Sequence, residues 1–130
     1  MGILDSLGVT FVEKSRSLTI QEWIVTEPMT QIHGILHGGL SAAIAEQGAS
    51  MGATLSLPAG RQAVGLSMTV QHLRPVSLGS RCRCYARPVQ AGGKIQVWQV
   101  ENRLVEDDTL FSMATVTIYC KQVRDERYSI

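Results

Sequence analysis

The sequence predicts an α+β fold in which a curved antiparallel sheet wraps one central helix. Three observations predict it. One alanine-rich, proline-free stretch from Gly39 to about Leu55 reads as helix. Strand patterns flank it, one before and four after, in the order βαββββ. A chain of 130 residues has room for a single domain over 1–130, so helix and strands must bury one another.

The opening strand is Leu18 to Val25, where Leu18, Ile20, Trp23 and Val25 alternate imperfectly with polar neighbours. Glu27, Pro28 and Met29 break regularity, since proline lacks an amide hydrogen and biases the preceding residue away from helix. A loop through Gln31 and His33 to Gly34 follows. Within the helix, Leu40, Ile44, Met51 and Leu55 recur at spacings of four, seven and four. The other face, Ala42, Ala45, Ala49, Gly52 and Ala53, is small and permits close approach by a neighbour. Leu57, Pro58, Ala59 and Gly60 end the helix. The remaining strands are Ala63 to Leu73, Arg81 to Val89, Lys94 to Leu104 and Leu110 to Lys121, joined by three turns, which implies an antiparallel meander.

Composition narrows the function. A hydrophobic fraction of 45%, a charged fraction of 18% and a net charge of +1 suit a globular domain and supply no basic field for nucleic acid or an anionic membrane. A fold this small builds a shallow groove alone, which favours a site shared between subunits. Cys82, Cys84 and Cys120 are an odd number without disulfide-dense spacing, and no apolar run suits a signal peptide or membrane span, so a cytoplasmic setting is expected. Met1 to Gly8 reads as an amphipathic lead-in, and Lys121 to Ile130 as a charged, partly ordered tail.

The chemistry concentrates in Gln31 to Ser50. Gly38 and Gly39 stand where loop becomes helix, and the first amides of a helix have no partner within it. With no side chain to hold a substrate away, and with the helix dipole behind them, they form an oxyanion-hole candidate. Glu46 follows two turns on, among small and apolar residues. Enclosure there strengthens a carboxylate as base, fitting it to attack an acyl carbonyl or to activate a water. Ser50, four residues further on the same face, is placed to hydrogen-bond Glu46 or that water. The bland alternative for Glu46 is a structural carboxylate paired across an interface.

His37-Gly38-Gly39, with Glu46 seven positions after Gly39 and Gln31 six before His37, resembles the hotdog-fold thioesterases of the phenylacetate-degradation and 4-hydroxybenzoyl-CoA (Arthrobacter type) group. Within it the likeness is greatest to the bacterial 1,4-dihydroxy-2-naphthoyl-CoA thioesterases of menaquinone synthesis. AVGLSMTVQHLRP at 63–75 and KIQVWQVEN at 94–102 are similar to that group's later strands. The resemblance implies an acyl-CoA thioesterase with Glu46 as nucleophile or general base. It implies that the Gly38 amide, helped by Gln31, binds the thioester oxygen, that His37 supports the oxyanion site and the attacking water, and that Ser50 assists. His72 and Arg74 would contact CoA. It further implies a homodimer as the active unit, Glu46 of one subunit facing Gly38 and Gln31 of the next, often paired into a tetramer. His33 departs from the family's apolar or aromatic residue and makes the mouth of the acyl pocket more polar.

Other residues have plainer readings. His33 and His37 are four apart, but Gly34 intervenes and no third ligand is evident, so no metal is expected. Cys82 and Cys84 share a strand face and are read as ordinary thiols, because side-by-side residues on one strand rarely meet disulfide geometry. Trp98 reads as core or interface, and Arg81, Arg83 and Arg87 as a solvated strand face, with phosphate binding by these or Arg61 as the functional alternative. Thiolate is an adequate leaving group, so no cofactor beyond the substrate's own CoA is expected. Two other functions compete: a non-catalytic acyl-CoA sensor, which would not need Glu46, and a hotdog hydratase or dehydratase, which would arrange a histidine and a carboxylate differently.

Overall fold

The computed structural model describes residues 2–123. A helical turn, α1 (Ile3–Ser6), leads into β1 (Thr10–Lys14) and β2 (Thr19–Ile24), a 3-10 turn at Glu27–Met29, the long helix α2 (Gly38–Ser56), and four strands: β3 (Arg61–His72), β4 (Arg81–Gly92), β5 (Ile95–Leu104) and β6 (Leu110–Gln122). All six strands form one antiparallel sheet in the order β1-β2-β4-β5-β6-β3. The predicted architecture, a curved sheet around one helix, is therefore present, with β1 as an additional strand.

The meander expected from β3 to β6 holds only for β4, β5 and β6. β3 pairs instead with β6, Val64 opposite Tyr119 and His72 opposite Ser112. The reason lies in the connection: residues 73–80 are too long to act as a tight hairpin and are tied elsewhere. Leu73 N–H donates to the Phe111 carbonyl and Leu36 N–H to that of Val76. β3 consequently becomes a sheet edge. β6 runs through Lys121 to Gln122, and Val123 N–H donates to the Gly60 carbonyl, so Lys121 and Gln122, expected in a tail, are strand; the rest of that expected tail, residues 124–130, lies outside the described residues.

The helix packs by its small face. Ser41, Ile44, Ala45, Gly48, Ala49, Gly52 and Ala53 are buried at three- and four-residue spacing, while Leu55, expected in the larger apolar stripe, is exposed. The sheet supplies the bulk: a Cβ on Gly52 would overlap the Trp98 indole, and one on Gly48 would sit 2.8 Å from Gln21 Nε2. Small residues thus let a buried tryptophan meet the helix backbone.

β2 turns polar groups inward, while Leu18 and Ile20 are only partly buried. Thr19, Gln21 and Trp23 are buried. Thr19 Oγ1 donates to the Gly48 carbonyl at 2.9 Å and Gln21 Nε2 to the Ile44 carbonyl at 2.8 Å, one helical turn apart. Gln47 Nε2 completes the chain by donating to Gln21 Oε1 at 2.9 Å. Buried polar groups so paired cost little and fix the helix's register on the sheet. Trp98 Nε1 donates to Gln96 Oε1, and Gln96 Nε2 to Ser56 Oγ, each at 2.8 Å, anchoring the far end. Among the described residues no helix is long and apolar enough to cross a membrane.

Candidate active site

The site starts from the entry to α2. His37 is its N-cap, and His37 Nδ1 accepts from the Gly39 N–H at 3.1 Å. An acceptor nitrogen there requires the neutral ring with its proton on Nε2. Gly39 and His37 are therefore engaged with one another, which removes Gly39 from the oxyanion donors and gives His37 a capping role beside them. The Gly38 N–H has no hydrogen-bond partner among the described residues.

His72 lies directly over Gly38. A Cβ on Gly38 would come within 2.9 Å of His72 Nε2 and 3.0 Å of Cε1, so the missing side chain is what lets the exposed imidazole approach the backbone. Gln31, Gly38, His72 and Arg74 line one cleft of about 370 Å³, closed by Leu36, Val76 and Phe111. Four of the predicted residues are thus brought together. Gln31 Oε1 accepts from the His33 N–H, which orients the carboxamide and leaves its NH2 group as donor. His33 itself is exposed and does not line this cleft.

Glu46 and Ser50 line a different and larger cleft, of about 660 Å³, with Ala43, Gln47, Met51, Thr54, Val64 and Gly65. The expected enclosure of Glu46 is not found in the single chain, where it is exposed on the outward face of α2. Helix periodicity explains this: the buried stripe at 41, 44, 45, 48 and 49 leaves 46 pointing away from the sheet's concave face. Ser50 makes no direct hydrogen bond to Glu46 among the described residues; its backbone carbonyl accepts from Thr54 Oγ1 at 2.7 Å, which leaves its hydroxyl in the same cleft as the carboxylate. Gly65, by contrast, touches the Glu46 carboxylate so closely that a Cβ there would overlap Oε2. It sits at a β-bulge, where pairing shifts between Gly65 and Ser67 and Leu66 is left over, exposed. The sequence reading overlooked Gly65, though a lone glycine in a strand pattern signals a bulge or close backbone approach.

Gly38 and Glu46 are eight residues apart on one helix, roughly 12 Å along its axis. One chain therefore presents an unpaired donor in one cleft and an outward carboxylate in another.

The arginines have local partners. Arg83 Nε and Arg81 Nη2 contact Glu22 at 2.7 and 3.1 Å, and the hydrogen bond from Arg83, then that from Arg81, holds the Glu22 carboxyl below its usual range. Arg87 stacks 5.9 Å over the Tyr85 ring. Arg61 donates to the Cys120 carbonyl at 2.7 Å and lines a cleft with Ser56 and Leu57, at the end of α2 remote from Gly38. Cys82, Cys84 and Cys120 are free and buried. Among the described residues no group of three His, Cys, Asp or Glu is placed to hold a metal ion.

Comparison with known proteins places the chain in one family. The thioesterase superfamily model matches residues 33–110, which include the Gly38 entry, Glu46 and His72. A 1,4-dihydroxy-2-naphthoyl-CoA thioesterase 2 from Arabidopsis thaliana is 35% identical over 123 residues, covering 90% of this chain and 78% of that protein. A 1,4-dihydroxy-2-naphthoyl-CoA hydrolase from Listeria monocytogenes is 30% identical over 126 residues, covering 95% and 99%. The crystal structure of a thioesterase from Haemophilus influenzae superposes with a TM-score of 0.88 at 30% identity, covering 96% of this chain and 86% of that one. On its sequence, its wrapped-helix fold and these likenesses, the chain belongs to the thioesterase superfamily and is a thioester hydrolase of the hotdog fold.

Proposed function

We propose that this protein hydrolyses the thioester of an aromatic or medium-chain acyl-CoA, with Glu46 of one subunit acting on a carbonyl held by Gly38 and Gln31 of a second. The observation that carries the reading is the separation of Glu46 and the Gly38 N–H into two clefts about two helical turns apart. A carbonyl oxygen must sit near 3 Å from its donor, and the attacking group a bond's approach from the carbon. One chain leaves its two halves too far apart for that, so a second copy is the economical way to join them. The edge strand β3 supports the same view: among the described residues it pairs on one side only, and Glu46 lies against it at Gly65. A copy added along β3 would cover that carboxylate and supply the enclosure the single chain lacks. Pairing of such dimers into a tetramer extends this proposal.

In the proposed reaction the thioester oxygen docks on the Gly38 N–H, with the Gln31 NH2 as second donor. Glu46 then attacks the carbonyl carbon and expels CoA thiolate, leaving an anhydride that water opens. In the alternative course Glu46 takes a proton from water as the hydroxide adds, and the tetrahedral species collapses with loss of the thiolate, which accepts that proton. Either course uses the same two clefts. His72 and Arg74, exposed at the rim of the donor cleft, are assigned to the CoA moiety. The relatives named for 1,4-dihydroxy-2-naphthoyl-CoA make that thioester the first substrate to try, and the buried free thiols suit a reducing cytoplasm.

Thiol release from an aromatic and a medium-chain acyl-CoA, measured beside Glu46→Gln, tests the proposal. The variant keeps its fold, since the side chain is exposed, and loses about a hundredfold or more in kcat. Near-normal turnover by Glu46→Gln removes the assignment.

A further inference from the structure

The Glu46 cleft has a wall that the family-matched segment does not supply. Gly2, Ile3 and Leu4 line the same space as Glu46 and Met51 of α2 and Val64 of β3, yet the family model matches only residues 33–110.

This wall is anchored. Leu4 is 5% exposed and joins the core with Val9. The Leu7 N–H donates to the Ile3 carbonyl at 3.2 Å and the Val9 N–H to that of Leu4 at 3.0 Å. Gly8, at φ +86°, takes the left-handed conformation that lets the chain turn from α1 into β1.

Its neighbour is placed oppositely. Ile3 is 74% exposed, a branched aliphatic side chain held out over the cleft by a residue fixed beneath it. Keeping such a surface in water is unfavourable, and an apolar ligand group lying against it would remove that cost. The cleft is long enough to hold one. From Glu46, α2 continues through Met51 to Thr54, all lining the same space, a run of roughly 12 Å at the helical rise. Glu46, Gln47 and Ser50 supply polar groups near the reacting end, and Met51, Ile3 and Val64 an apolar surface beyond.

We infer that α1 is the acyl-selecting wall of this thioesterase, with Ile3 and Met51 packing against the part of the acyl group beyond its thioester carbonyl. The inference rests on the proposed function and deepens it: the carboxylate and the donor cleft come from the matched segment, while the size of acyl group accepted is set by a turn that precedes it. A branched side chain on one side and a flexible thioether on the other define a slot whose width a single substitution at position 3 changes.

The test uses the full chain and four substrates, butanoyl-, decanoyl-, benzoyl- and 2-naphthoyl-CoA. It reads the ratio of kcat/KM between the largest and smallest acyl groups that the unmodified protein turns over. Ile3→Trp narrows the slot and lowers that ratio by about tenfold or more; Ile3→Ala widens it and raises the ratio. Thermal melts accompany both, and little change is expected because the side chain is exposed. Turnover with the ratio unmoved by both substitutions overturns the wall and leaves the thioesterase reading standing. No thiol release from any of the four by the unmodified protein overturns that reading, and this inference with it.

Discussion

The Glu46 carboxylate rests on the α-carbon of Gly65, with no room for a Cβ between them. The contact joins the helix that carries the acid to the bulge of the edge strand, and so determines where the carboxylate points. Gly65→Ala pushes the carboxylate aside. Because the displaced atoms are the far end of an exposed, flexible side chain, folding stability changes by less than about 1 kcal/mol. Displacing a reacting group by an ångström costs about a hundredfold in rate, so with Glu46 in its proposed role kcat is expected to drop by ten- to a hundredfold with KM little changed. A melting curve beside steady-state kinetics decides; a kcat equal to that of the unmodified protein would show that Gly65 does not position the acid.

Gly38 and Gly39 are neighbours with different surroundings. A Cβ on Gly38 strikes the His72 ring at 2.9–3.3 Å, whereas one on Gly39 meets His37 at an ordinary 3.4–3.5 Å. Gly38→Ala keeps the N–H but forces His72 away and crowds the approach to the donor. The expected result is a loss of about ten- to a hundredfold in kcat/KM, clearly larger than that of Gly39→Ala. Equal effects from the two would argue against a free donor at Gly38 and an engaged one at Gly39.

Some of this was legible in the sequence and some was not. The helix and the glycine pair were visible because helical periodicity, the absence of proline and the motif spacing depend on neighbours a few residues away. Gln31, Gly38, His72 and Arg74 do share a cleft, a grouping drawn from resemblance alone. The position of β3 was not visible, since a strand's partner is chosen by long-range burial and its pattern reads alike beside β4 or β6. The inward turn of Thr19 and Gln21 escaped for a related reason: hydrophobic alternation assumes that polar residues face water, and here they bond helix carbonyls. The exposure of Glu46 follows from facing on α2, where the small residues, not the large ones, meet the sheet.

The buried thiols give a pH prediction. Cys82 lies on the sheet's inner face, where burial pushes its thiol up to about 12 from an ordinary 9.0, and burial raises the Cys84 thiol as well. A folded-state value above the unfolded one means that the native fold prefers the neutral thiol. That stabilisation is full below about pH 9 and is lost as the pH rises toward 12. Denaturant midpoints should therefore fall steadily between those limits, and less so in Cys82→Ala, once that variant's own lower baseline from cavity formation is taken as reference. The same burial predicts that Cys82 and Cys84 resist a thiol reagent in the native state at pH 8 and react on unfolding. Rapid native labelling of either would contradict the burial that places them.

The separation of Glu46 from the Gly38 donor can be tested without a second structure. If each site draws its acid from one subunit and its donors from the other, two inactive chains can repair each other. Glu46→Gln has sound donors and no acid; Gln31→Ala/Gly38→Ala has a sound acid and impaired donors. Unfolded together at equal amounts and refolded, half of the resulting dimers are mixed, and each mixed dimer holds one site with both lesions and one with neither. About a quarter of unmodified activity should return, although either variant refolded alone stays near its own low level. An active site contained within one chain predicts no recovery above the average of the two. The two variants also differ in what they leave intact, because the donor-impaired chain keeps Glu46 against Gly65 and the acid-less chain keeps His72 over Gly38. Recovery that disappears on adding Gly65→Ala to the donor-impaired chain, but persists when it is added to the acid-less chain, would assign the repaired site to the Glu46 of the former.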